Sequence, residues 1–414
     1  MSRLLSLNTY HYRRGGSDVA FLEHDKLFAA RGWKTAVFAM HHPQNEPTPW
    51  SPYFADELEL GRSYSWMQKI GMAGKVIYSL EARKKLASLV DDWRPDIAHV
   101  HCIYHHISPS VLGLLRQRGI PVVMTAHDLK LACPAYKMLN RTGICERCKH
   151  GNLLHVVRHR CIHESLGVSS LIMVESAVHK MFGLYRRNLD RIVVPSRFYG
   201  HKLEEWGWPR ERLVYIPNFI VANRFEPSYK PGDYFLYFGR LAPEKGVDAL
   251  IGAAVEAGVK VKIAGSGPAE GKLRRLAGSS PLIEFTGYCA GESLWRLVGS
   301  ARAVVLPSQW YENAPMSLLE AYACGKPVIG ARIGGIVEMI CDGETGSLFD
   351  PHDTNALAAQ LARIRALPDA AVVTMGRAAR AYVASEFTKA RYLQQMLDLY
   401  AELEVGDVSA GNVA

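Results

Sequence analysis

The sequence lacks any long apolar run. Nowhere in its 414 residues do the roughly 18 consecutive apolar residues of a membrane-spanning helix occur. The opening "MSRLLSLNTYHYRRGG" turns polar and basic too soon for a signal peptide and reads as a strand, so a cytoplasmic protein is expected. Internal repeats at a solenoid period are absent. No nucleic-acid-binding motif can be recognised, which argues against nucleic acid as a partner. Cysteine is sparse, at eight residues, and in the cytoplasm these are expected as thiols or metal ligands rather than disulfides. Acidic residues are short in one half only. Residues 1–217 hold 30 Lys+Arg against 19 Asp+Glu, whereas residues 218–414 hold 19 against 21. The basic half suits an anionic lipid surface or substrate, and equally a merely solubilising surface.

What is present is an ordinary globular composition, 48% hydrophobic and 21% charged, too long for one core and suited to two domains. Strand-like runs alternate with helical patterns, as in parallel α/β architecture. "RLLSLNTY", "KTAVFAM", "DIAHVHC", "PVVMTAH", "DRIVVPS" and "RLVYIPN" fill the first half. The polar "VANRFEPSYKPGD" comes next, and "YFLYFGR", "KVKIAG", "LIEFTG", "ARAVVLPS" and "KPVIGA" fill the second. The expected domains are 1–217, with a cysteine-rich insert at 128–165, and 218–385. Residues 386–414 are expected to form a C-terminal helix returning to the first domain, with a frayed tail from "VGDVSAGNVA". Two doubly wound domains would turn their ligand loops toward a shared cleft.

"QWYENAPMSLLEAYACGKPV" sets Glu312 and Glu320 on either side of a helix start. Pro315 suits the first turn and Asn313 a cap. Free amides at 314, 316 and 317 would offer a phosphate site. A carboxylate accepts hydrogen bonds from paired sugar or ribose hydroxyls, so the arrangement fits a nucleotide sugar. Taken alone, the pair serves equally as a solvated loop residue and a helix-surface charge. "YFGRLAPEKG" adds Arg240 and Lys245 at a sheet edge, where two cations would hold a diphosphate. "IAGSGP" adds Gly265 in what is otherwise a simple turn.

Together, "FGRLAPEKG", "AGSGP", "FTGY" and "ENAPMSLLEAYACGKPVI…GG" resemble family 4 of the retaining glycosyltransferases, glycosyl transferases group 1, in order and spacing. The resemblance implies the GT-B fold: two Rossmann-like doubly wound α/β domains facing a central cleft. It assigns Glu320 to the nucleotide ribose and Glu312 to the donor sugar near its C3 hydroxyl. Arg240 and Lys245 fall to the diphosphate, and the segment of Ala314, Pro315, Met316 and Ser317, beside Asn313, to the rest of the donor pocket. Gly15 and Gly16 in "YRRGGSDVAF" match the glycine-rich loop that nears the donor phosphate. His127 in "TAHD" matches a residue bonding the transferred sugar near the reacting centre. His101 carries a weaker match, and Asp128 either orients His127 or caps the segment after it.

The implied reaction is metal-independent transfer, with no catalytic cofactor, from a UDP- or GDP-type sugar to a lipid-linked or growing cell-surface glycan. Attachment at the inner face of the plasma membrane is expected. The absence of Asp-x-Asp agrees with metal independence. A nucleotide-sugar epimerase and a catalytically silent homologue in a glycan-assembly complex are the alternatives. The insert "CPAYKMLNRTGICERCKHGNLLHVVRHRC" departs from the simplest family pattern. Its Cys133, Cys145, Cys148 and Cys161 are candidates for a structural zinc, with unbound thiols and an iron–sulfur cluster as the other readings.

Overall fold

The computed structural model describes residues 2–57, 66–353 and 355–410, the side chains of 66–70 and 404–410 excepted. The first half contains β1 (Arg3–Leu7), β2 (Lys34–Phe38), β3 (Ile97–Val100), β4 (Val122–Thr125), a hairpin of β5 (Leu139–Asn140) and β6 (Gly143–Ile144), β7 (Arg191–Val194) and β8 (Leu213–Tyr215). All but the hairpin form one parallel sheet in the order β2-β1-β3-β4-β7-β8. The second half contains β9 (Tyr234–Phe238), β10 (Lys260–Ala264), β11 (Ile283–Gly287), β12 (Ala303–Leu306), β13 (Val328–Ala331) and β14 (Gly346–Phe349). They form a parallel sheet in the order β11-β10-β9-β12-β13-β14. Two doubly wound α/β sheets of six strands are the GT-B arrangement.

Continuous apolar strands follow from burial on both faces. "YFLYF" of β9 is buried at every position, as is "AVVL" of β12. In the second sheet the strand order reverses between β9 and β12, and open α/β sheets bind ligands outside the carboxyl ends of the strands at such a point. The chain leaves β9 into Gly239 and Arg240, and leaves β12 into the segment carrying Glu312. In the first sheet the reversal falls between β1 and β3, where the chain runs into the Gly15–Gly16 loop and into His101.

The last helix, Lys389–Ala410, crosses back to the first sheet. Its Tyr392, Met396, Leu399 and Tyr400 are buried against Leu4, Phe28, Ile97, Val123 and Val193. The helix continues through Val405–Ala410, where fraying is expected from the sequence, and 411–414 lie outside the described residues.

Met396 is fully buried in this seam. Met396→Ala should cost about 2–5 kcal/mol, as large-to-small changes in well-packed cores do. Chemical denaturation should register the loss in the unfolding of the first domain, even though residue 396 follows the second in sequence.

Candidate active site

The helix Met316–Ala323 begins directly after the loop that leaves β12. Pro315 is its N-cap rather than its first turn, with ψ at 119° and no side-chain cap bond. Asn313 does not cap the helix either, contrary to the expectation from its position. Its Nδ2 donates across the cleft to the carbonyls of Ala126 (2.9 Å) and His127 (3.3 Å), and its Oδ1 accepts from Ser196 Oγ (2.8 Å). A long-range partner has displaced the local one. The first amides of the helix, at Met316 and Ser317, therefore lack a side-chain acceptor, and such a helix start favours an anion.

Glu312 is buried, and its Oε1 accepts from Lys245 Nζ (2.7 Å) and Ser308 Oγ (2.6 Å). Burial alone would raise its pKa. The Lys245 charge and the bonds from Lys245 and Ser308 outweigh that and hold the carboxyl below its ordinary value. Glu320 is the opposite case. It lies one turn into the helix, no donor among the described residues meets its carboxylate, and burial pushes its pKa up to about 7. One carboxylate is committed and the other is vacant.

The cations also come partnered. Lys245 holds Glu312, and its Nζ lies 5.2 Å from the centre of the Trp310 ring. Arg240 is bonded to Glu244, whose Oε1 also accepts from Lys137 of the insert at 3.0 Å. Lys137 is thus a third cation at this edge, missed in the sequence because nothing local marks it. Glycines fix the surrounding backbone. A Cβ on Gly265, at φ 142°, would lie 1.9 Å from the Gly239 carbonyl oxygen, and one on Gly335 would lie 1.8 Å from the Asn313 carbonyl oxygen. Gly334 and Gly335 let a neighbouring loop press on the Glu312–Asn313 backbone, where Gly335 N–H donates to the Glu312 carbonyl (2.8 Å).

Gly15 and Gly16 face this site from the first domain. Neither is crowded by the protein: a Cβ on either would find nothing nearer than 3.8 Å, and for Gly16 the nearest atom is Cγ of Met316. The Gly loop is braced by Asn8, whose Nδ2 donates to buried Asp18 (2.9 Å) and whose Oδ1 accepts from the Cys102 amide (3.1 Å). His127 is half-buried beyond β4, and its Nε2 shares a proton with His101 Nδ1 at 2.8 Å. Burial lowers its pKa to about 4, so it is neutral at neutral pH. His101 stacks in turn on His99, which bonds Tyr400 of the last helix. Asp128 does not orient His127: it accepts from the Lys130 amide (2.9 Å).

Cys133, Cys145, Cys148 and Cys161 of the insert form no disulfide. Among the described residues no group of three or more His, Cys, Asp or Glu is arranged to hold a metal ion, and the structural zinc expected for the four cysteines stays a proposal. Burial pushes Cys148 up to about 12 and Cys161 up to about 11, with the neighbouring sulfurs adding to the shift. The sulfurs share one neighbourhood, and polar contacts tie the insert to the rest of the chain. Tyr311 OH donates to Glu146 (2.9 Å), and Lys202 pairs with Glu146 at 2.9 Å.

With this geometry in view, the family models can be placed on the chain. The model for Glycosyltransferase Family 4 matches residues 14–224, and the model for Glycosyl transferases group 1 matches residues 222–381. The chain belongs to glycosyltransferase family 4. Together the models cover every strand of both sheets except β1. Among relatives, an uncharacterized glycosyltransferase of Methanocaldococcus jannaschii is 30% identical over 59% of this chain and 65% of its own length. Glycogen synthase of Mycobacterium tuberculosis is 28% identical over 71% of this chain and 66% of its own length. The matches thus span just under two thirds of those two curated relatives. N-acetyl-alpha-D-glucosaminyl L-malate synthase of Bacillus anthracis is 26% identical over 79% of this chain and 80% of its own. Among solved structures, sucrose-phosphate synthase from Thermosynechococcus elongatus superposes with a TM-score of 0.72 at 22% identity, covering 98% of this chain and 100% of that one. Anabaena HepE, solved in complex with UDP and glucose, gives 0.68 at 16% identity, covering 97% and 100%. The likeness in fold thus extends over the whole two-domain body.

Glu320 supplies a test that needs no ligand. Its folded pKa of about 7 lies above the ordinary 4.5, so its contribution to stability is complete below the unfolded pKa and is lost as pH rises through about 7. Glu320→Gln should therefore match the wild type near pH 4.5 and exceed it in thermal midpoint above pH 7. A difference independent of pH would show that Glu320 titrates normally.

Proposed function

We propose that this family 4 member is a retaining glycosyltransferase. It moves a sugar from a UDP- or GDP-type nucleotide donor to a lipid-linked or growing glycan acceptor at the inner face of a membrane. One observation carries the reading: a half-buried carboxylate at Glu320 that no described donor meets and a buried, committed one at Glu312 flank an uncapped helix start. Ribose hydroxyls would satisfy Glu320, which then ionises and releases a proton as nucleotide binds. Glu312, fixed by Lys245 and Ser308, accepts from a hydroxyl of the donor sugar. The diphosphate lies between them, against Arg240, Lys245 and the amides from Ala314 to Ser317, with Gly15 and Gly16 giving it room. The complex of Anabaena HepE with UDP and glucose supports the same class of donor.

In the transfer step the bond from the sugar's anomeric carbon to the diphosphate oxygen breaks, and its electron pair leaves with the diphosphate. The acceptor hydroxyl oxygen bonds that carbon from the same face, and its proton passes to the departing phosphate oxygen. Charge accumulates on the leaving group, so cations and helix amides aimed there lower the barrier. Neutral His127 bonds a sugar hydroxyl and holds the ring. Metal independence follows from this supply of protein charge.

Glu320→Ala should weaken free nucleoside diphosphate by roughly 2–3 kcal/mol, because ribose hydroxyls lose a charged acceptor. Glu312→Gln should spare that binding and depress turnover of the intact donor. Calorimetry alongside a transfer assay separates the two, and equal effects on free nucleotide would contradict the assignment.

Arg240→Ala and Lys245→Ala should each lower turnover by about 100-fold or more, the scale for a group that stabilises developing charge. EDTA should leave wild-type transfer unchanged. A strict requirement for added magnesium in the transfer step would overturn the metal-free mechanism.

A further inference from the structure

The helix Leu166–Met181 is built inside out. Its inward residues include Ser169, Glu175, Ser176 and His179, and Glu175 is wholly buried. Its large exposed residues are apolar apart from Lys180: Leu166 is 54% exposed, Val168 38%, Val174 43% and Met181 69%, with Phe182 just beyond at 54%. Large apolar side chains gathered on one exposed helix point to an interaction site. The inward Glu175 and His179 are both engaged. Glu175 accepts from Lys130 Nζ (2.8 Å) and bonds His105 Nδ1 (3.0 Å), while His179 Nε2 bonds the Ile77 carbonyl oxygen (2.7 Å). Lys130 stands three residues past His127, so the helix backs the loop that carries the reacting side of the cleft.

Charge decides among occupants. Residues 141–187 hold eight Lys+Arg against three Asp+Glu. Each of those three acids is already paired: Glu146 with Lys202, Glu164 with Arg141 and Glu175 with Lys130. Lys180 lies on this helix, Arg187 follows Phe182 by five residues, and Arg158 and Arg160 lie at the end of and just past the helix Leu154–Arg158 packed against it; all four are exposed, and among the described residues none of them forms a salt bridge. A second copy of the chain would set these cations against their own kind, which disfavours association. An apolar helix face rimmed by cations fits an anionic bilayer, with the helix lying in the interface. Among the described residues no helix is long and apolar enough to cross a membrane.

We propose that the outward face of Leu166–Phe182, with its surrounding cations, docks on an anionic lipid surface. This deepens the reading of a lipid-linked acceptor and rests on it for purpose, yet it can be measured without turnover. The full chain would be sedimented with vesicles of phosphatidylcholine containing phosphatidylglycerol, and with phosphatidylcholine alone. Binding to the anionic vesicles is expected, and it should weaken as salt rises. It should fall by about tenfold or more in Val174→Glu/Met181→Glu and in Lys180→Glu/Arg187→Glu. All these residues are exposed, and an unchanged thermal midpoint would confirm that the variants fold. Failure of the folded chain to bind anionic vesicles would overturn the proposal, and so would binding that both double variants leave intact. A dimer in light scattering that Val174→Glu/Met181→Glu dissolves, without vesicle binding, would make the face a self-interface and overturn it too. None of these outcomes touches sugar transfer, which is judged by the donor-site variants.

Discussion

The ion pair between Lys245 and Glu312 is the constraint on which the site depends. It joins the segment after β9 to the segment after β12, the two strands that flank the reversal of the second sheet. A buried charge pair contributes little to stability on balance, but removing one member leaves the other stranded. Its effect is therefore to fix geometry: Glu312 must stay ionised and in place, and the loop ahead of the helix Met316–Ala323 must stay with it. The uncapped helix start and vacant Glu320 are presented at a set distance beyond that anchor.

The second constraint is the seam between the domains. Asn313 reaches the carbonyls after β4, Tyr199 OH donates to the Tyr311 carbonyl (3.0 Å), and Glu338 accepts from the amides of Arg197 and Phe198 at 3.0 Å each. That last contact is a carboxylate at the start of the helix Arg197–Glu205, where negative charge is favoured. These bonds are polar and few, the character of interfaces that permit relative movement. They close the cleft without welding it.

Much of this was legible in the sequence because it is local. Continuous apolar strands such as "YFLYF", the polar break before Tyr234 and the helix from Met316 announce themselves over a few residues. The family order of Arg240, Lys245, Glu312 and Glu320 pointed to one cleft, and all four lie along the carboxyl edge of the second sheet. What escaped notice depends on partners distant in sequence. Asn313 looks like a cap until a carbonyl from the other domain claims it. Lys137 is one more insert lysine until it meets Glu244. In "LGVSSLIMVESAVHKM" the apolar period is plain, but only packing shows that the polar side turns inward, because Lys130 and His105 wait there for Glu175.

The returning helix Lys389–Ala410 has a consequence for the order of events on the ribosome. Domains generally fold as units while the chain emerges, the N-terminal one first. Here Leu4, Ile97, Val123 and Val193 of the first sheet are covered by Tyr392, Met396, Leu399 and Tyr400. Their apolar face stays bare until the last of these has left the exit tunnel, by which time the entire second domain has been made. The domain synthesised first is thus the one completed last, and through that interval a chaperone would find its target on the oldest part of the chain.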